Sequence, residues 1–138
     1  MRHLPLWLAA AWWGSLTTLG FLVVPLLFAY LPAPAMAGNM AAKLFSAQTY
    51  VSTVCGLLLL LAFRSKRSLV PMDTAGAATL FVVGGLIFAL LVEFGVAPRI
   101  VARENLALWH GLGSAMYLVQ WLCAAMVFGG LAKGTASH

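Results

Sequence analysis

TAGAATLFVVGGLIFALLVEFGVA, residues 74–97, decides the architecture of this chain. About 20 apolar residues in helical geometry cross roughly 30 Å of hydrocarbon, and this stretch is long enough while carrying one charge, Glu93. Working outward, three more segments have the same character: about 4–30 and 40–63 before it, and 106–131 after it. The composition agrees, because 63% of the 138 residues are hydrophobic and 8% are charged, a balance at which water is not the main solvent.

The segments between these runs carry the turn signals. In LPAPAMAGN (31–39), Pro32, Pro34 and Gly38 end one helix and permit a turn. RSKRSLVPMD (64–73) is the dense basic cluster, after which Asp73 or Thr74 is placed to cap the third helix. PRIVAREN (98–105) is short, and short connections make each helix antiparallel to the one before it. The expectation is an all-α integral membrane four-helix bundle, antiparallel up-down-up-down, forming a single domain over 1–138. The first apolar run, from Leu4 to about Leu31, exceeds the h-region of a secretory signal and reads as a retained span.

A formal charge of +5 would suggest nucleic acid in a soluble chain, but here the basic residues lie between apolar runs. They read as topology markers and headgroup contacts, with the lipid bilayer as partner and no nucleic acid. Arg2, Arg64, Lys66, Arg67 and Lys133 fall on one side, and Lys43, Arg99 and Arg103 on the other. The positive-inside rule then places both termini in the cytoplasm and the chain in the inner (cytoplasmic) membrane. Cys55 and Cys123 lie in apolar runs without CxxC spacing and read as buried thiols. Gly14 with Thr18, Gly84 with Gly85, and Gly111 with Ala115 offer small-residue faces for close helix contact, enough to suggest a homodimer.

At roughly 100° per residue, His110, Ser114, Tyr117 and Trp121 fall within about 60° of one another on the fourth helix. Gly14, Thr18, Phe21, Pro25 and Phe28 form a comparable stripe on the first. On the second, Lys43, Ala47 and Tyr50 share one face and Phe45, Thr49, Ser52 and Gly56 another; periodicity leaves open which turns inward. A histidine inside a membrane helix is costly unless paired, ligating or near water, which makes His110 a site candidate, although an interfacial histidine bonded to Ser114 or a loop carbonyl would satisfy the same rule. Glu93 should either snorkel to the interface or meet a base such as Lys43, Arg99 or Arg103. Pro98 fixes the backbone where the third helix is expected to end, directing Arg99. Trp7 and Trp109 suit an interfacial belt, while Trp12, Trp13 and Trp121 are deep enough to pack the bundle.

Histidine for a metal, cations for carboxylates and flat rings for a planar ligand together suit a haem better than a bare ion. On that reading His110 is the metal ligand and Arg99, with Lys43 or Arg103, pairs the propionates of haem b. Ser114, Tyr117, Phe28, Phe45, Tyr50 and Trp109 complete the set of candidate cofactor-binding residues. No HExxH, GxSxG, P-loop or dinucleotide fingerprint is present, so catalytic residues stay unassigned and an enzyme, if this is one, would be a haem-dependent oxidoreductase. Two other readings stand beside this one: a copper or small-solute transporter using soft Met and Cys ligands, and a ligand-free membrane scaffold or assembly factor.

WWGSLTTLGFLVVPLLF in the first span, GNMAAKLF entering the second, APRI closing the third and WHGLGSAMYLVQW in the fourth resemble, in that order, the transmembrane protein 205-like family, also catalogued as domain of unknown function 4149. The resemblance implies a four-helix membrane protein with distinctive positions at Gly14, Pro25, Phe28, Phe45, Pro98, Arg99, His110 and Ser114, and implies no reaction. More distantly, the layout is similar to the copper-resistance D proteins and to the small membrane protoporphyrinogen oxidases that bind haem through histidines. The chain departs from a two-histidine site, since His110 alone is well placed on the outer side. A second iron ligand would have to be Tyr, Met, water or a group from another subunit.

Overall fold

A computed structural model of the chain describes residues 3–65 and 72–137, with side chains described from residue 75 onward in the second stretch. Arg2, Lys66, Arg67, His138 and the side chains of Asp73 and Thr74 lie outside the described residues. Helices α1 (Leu4–Thr18) and α2 (Val24–Tyr30) make the first span, α3 (Pro34–Ser65) the second, α4 (Met72–Leu91) and α5 (Ala97–Val101) the third, and α6 (Leu106–Ala136) the fourth. All four are long and apolar enough to cross a membrane. Large apolar side chains stand outward, Leu80 and Phe94 each 75% exposed, as expected where lipid rather than water is the neighbour. The protein is therefore a multi-pass helical membrane protein.

Several helix ends differ from the pattern expected of the sequence. The second helix begins at Pro34 rather than near residue 40, because proline at the start of a helix gives up an N–H that has no intrahelical partner anyway. Only Leu31–Ala33 is left for the turn, and the amides of Met36 and Ala37 already bond to the Ala33 carbonyl. The fourth helix continues to Ala136. Pro98 does not end the third span: the helical path runs on to Val101, and the chain reverses through residues 102–105 with Arg103 and Asn105 at φ of 58° and 35°.

Each internal proline is preceded by a single π-helical turn, Leu19–Val23 before Pro25 and Val92–Val96 before Pro98. Proline lacks an N–H and its ring crowds the carbonyl four residues back; widening the turn absorbs both defects without breaking the span. Such a turn adds a residue and rotates everything beyond it. The straight stripe expected from Gly14 through Phe28 is consequently split: Thr18 is exposed and a Cβ at Gly14 would meet open space, whereas Phe21 and Phe28 stay on a common wall further along.

The spans form a ring in which α1 packs on α3 and α6, and α4 packs on α3 and α6. Ala9, Trp12, Leu16, Leu59, Val82, Ala124 and Val127, drawn from all four spans, form its close-packed half. Trp13 stacks on Phe128 at 5.6 Å and lies 6.2 Å from Trp121, whose ring takes Phe21 edge-on at 5.5 Å. Polar groups cross the middle: Gln48 Nε2 donates to Ser15 Oγ (3.0 Å), Ser52 Oγ donates to Gln120 Oε1 (2.9 Å), and Trp121 Nε1 donates to Thr17 Oγ1 (2.9 Å). Burial of Ser52 settles the second helix, with the Ser52 and Gly56 side inward and Lys43, Ala47 and Tyr50 outward.

In lipid, van der Waals contact replaces the hydrophobic drive, so close approach at small residues matters most. Among the small pairs expected to serve this role, Gly85 does: a Cβ there would sit 2.7 Å from Trp12 Cη2, and Trp12 is fully buried. Gly14 and Gly111 do not, having open space at that position, while Gly20 against Tyr117 and Gly56 against Leu86 take up the task instead. Gly85→Ala is expected to destabilise the bundle by about 1–3 kcal/mol through overpacking, and Gly14→Ala to be neutral or mildly stabilising. Denaturant titration of the helical signal in mixed micelles checks the contrast.

Candidate binding cavity

The close-packed half lies toward the chain termini. Toward the Leu31–Ala33 and Ala102–Asn105 connections the bundle loosens, and α2 contains no buried residue. There the four spans surround a cavity of about 470 Å³. That volume lies within the range of small-molecule sites. The first span contributes Phe21, Val24 and Phe28; the second Ala41, Ala42 and Phe45; the third Val92, Glu93, Val96 and Ala97; the fourth His110, Gly113, Ser114 and Tyr117.

Both π-helical turns lie on its wall, Gly20 and Phe21 from one and Val92, Glu93 and Val96 from the other. At its inner end the Tyr117 hydroxyl donates to the Leu16 carbonyl at 2.6 Å, just where the first π-turn begins. Gly20 leaves room for that ring, since a Cβ there would stand 2.6 Å from Tyr117 Cε1. Phe45 meets the same ring edge-on at 5.4 Å. The floor is thus aromatic and fixed by one strong bond to the backbone.

The polar groups on the wall are few. Glu93 accepts a 2.8 Å hydrogen bond from Ser46 Oγ across from the second span, so its partner is neither Lys43 nor Arg99 nor Arg103. The reason is geometric: Lys43 lies on the outward face of α3, and the guanidinium of Arg99 is drawn to the surface, 4.9 Å above the Trp109 ring and 3.5 Å from Glu104 Oε2. Arg99 and Glu104 form the one ion pair among the described residues. His110 and Ser114 are exposed, and both line the cavity.

Of the residues singled out in the sequence, His110, Ser114, Tyr117, Phe28 and Phe45 come together on this wall. Lys43, Arg99, Arg103, Tyr50 and Trp109 do not line it, and Tyr50 is 74% exposed on the outward face. Glu93 lines the cavity, and Ser46, which does not line it, holds the Glu93 carboxylate. Two glutamines below the floor, Gln48 and Gln120, were not among the expected polar residues, although an amide side chain inside AQTYVST or LVQWLC is the signal that marks them. No group of three or more His, Cys, Asp or Glu side chains suited to a metal ion occurs among the described residues.

Comparison with curated proteins and with solved structures returns no match. A family described as a domain of unknown function (DUF4149) matches residues 7–108, a stretch that includes both internal prolines, Glu93 and Arg99 and stops just before His110. No match carries the more distant likeness to the copper-resistance D or protoporphyrinogen oxidase families. With well over half of its length matched and four apolar helices in place, this chain is a membrane-embedded member of the DUF4149 family.

Proposed function

We propose that the protein binds a small, largely apolar molecule taken from the membrane. The observation that carries this reading is the coincidence of both π-helical turns with one cavity, since such turns concentrate at functional sites and here they supply two opposed parts of its wall. Haem b is one candidate within this class, for which His110 would be the metal ligand and Phe28, Phe45 and Tyr117 the flat surroundings. The lining supports the imidazole and aromatic parts of that assignment. Among the described residues it offers no Lys or Arg for the propionates, and the Tyr117 hydroxyl is already committed to Leu16.

A neutral lipophilic fluorophore is expected to bind saturably to the protein in nanodiscs, above the background of empty discs. Gly113→Trp, which fills the cavity wall, should weaken that binding at least about tenfold, and Lys43→Ala should not change it. In the same preparations, grown with adequate haem supply, a stoichiometric Soret band removed by His110→Ala would assign haem b; a colourless protein that still binds the fluorophore points to another apolar ligand.

We further propose that the protein lies in the inner membrane with both termini cytoplasmic, on the strength of five Lys and Arg residues against three. The cavity then faces the outer half of the bilayer. A reporter fused at Gly134 is expected to be active in the cytoplasm and one inserted at Pro32 outside it; the reverse pattern overturns the orientation.

The open faces at Gly14 and Gly111 support self-association as a homodimer. Cross-linking in native-like lipid is expected to give a dimer over a wide range of protein density, and bulky substitution at either glycine to reduce it. A monomer throughout that range overturns the assignment.

A further inference from the structure

Among the described residues, the cavity wall holds a carboxylate and no Lys or Arg side chain. Glu93 Oε1 accepts from Ser46, but a carboxylate has about four acceptor sites, so most of its capacity remains unused by that bond. None of the described Lys or Arg side chains lines the wall: Lys43 and Arg103 are exposed elsewhere, and Arg99 is engaged with Trp109 and Glu104. An ionisable side chain inside a membrane bundle is costly when alone and is found paired with an opposite charge or with donors. Among the described residues Glu93 has the Ser46 hydroxyl as a donor and no opposite charge beside it.

The other polar groups narrow the choice. The Tyr117 hydroxyl spends its proton on the Leu16 carbonyl and is not a donor for a bound anion. An anionic headgroup would therefore find His110 and Ser114 as its side-chain donors and would meet the like charge of Glu93. A cationic nitrogen donates a charge-assisted hydrogen bond to Glu93 and has the aromatic rings of Phe45 and Tyr117 on the same wall. The remaining wall is apolar and accepts a hydrocarbon or aromatic body.

We propose that the ligand is a lipophilic amine, held by its protonated nitrogen on Glu93 with its apolar body in the cavity. This rests on the reading of the cavity as a ligand site and names the chemical class that fills it. Glu93 is the recognition residue. Ser46 is a positioning residue, which fixes one carboxylate oxygen and leaves the other to the amine.

The test uses three probes with one chain length and three head charges: tetradecylamine, tetradecanol and myristate, each radiolabelled, with the full-length protein in phosphatidylcholine nanodiscs and empty discs as background. The amine is expected to bind at least about tenfold more tightly than the alcohol, and myristate more weakly than either. Glu93→Gln should bring the amine to within about twofold of the alcohol while leaving the alcohol unchanged, and Ser46→Ala should remove part of the preference. The order among the three probes on the wild-type protein needs no variant. Saturable binding of the alcohol with no advantage for the amine, or an amine affinity unmoved by Glu93→Gln, overturns the assignment and leaves the cavity a ligand site. Failure of all three probes to bind saturably overturns both.

Discussion

Two missing backbone donors, at Pro25 and Pro98, shape the half of the molecule in which the cavity lies. In hydrocarbon no water can compensate an unpaired carbonyl, so a helix that admits proline must rearrange its own hydrogen bonds or borrow a donor. Both occur here. The π-turns at Leu19–Val23 and Val92–Val96 carry the chain past each proline, and the Leu16 carbonyl beside the first of them takes the hydroxyl of Tyr117 from the fourth span. That bond ties the approach to the first π-turn to a side chain of the fourth span and sets the floor of the cavity.

Packing and binding are consequently divided along the bundle axis. On the side of the termini, Trp12 lies against Gly85 and the spans interlock around Leu16, Leu59, Val82 and Val127. Across the middle, Ser15, Gln48, Ser52 and Gln120 link the first, second and fourth spans by hydrogen bonds, each worth modest free energy, about 0.6 kcal/mol on average, but specific in register. Beyond Tyr117 the wall is made of aromatic and small aliphatic side chains around Glu93, and close packing gives way to open volume.

The number of spans and their alternating direction are legible in the sequence because both follow from hydropathy, a sum over many residues that single exceptions cannot upset. The His110, Ser114, Tyr117 and Trp121 stripe is legible for a related reason: α6 has no internal proline, so periodicity holds along it. On the first span the same arithmetic fails past Thr18, where the π-turn changes the phase and separates Gly14 from Phe28. The destinations of Arg99 and Glu93 were not legible either. Arg99 is drawn to Trp109 and Glu104 by a turn with two residues of positive φ, and Glu93 meets Ser46, a residue 47 positions away whose direction depends on how two spans dock. Pairings across spans are properties of the assembled bundle, and one-dimensional patterns do not contain them.

The hydrogen bonds of the central polar layer also set an order of biogenesis. Ser15 and Gln48 can find each other as soon as the first two spans have left the translocon, but the acceptor for Ser52 is Gln120, and the donors to Thr17 and to the Leu16 carbonyl are Trp121 and Tyr117. All three arrive with the last span. Until then Ser52, Thr17 and the Leu16 carbonyl lack their fourth-span partners. Release of the fourth span is therefore the step that turns an inserted chain into a folded one.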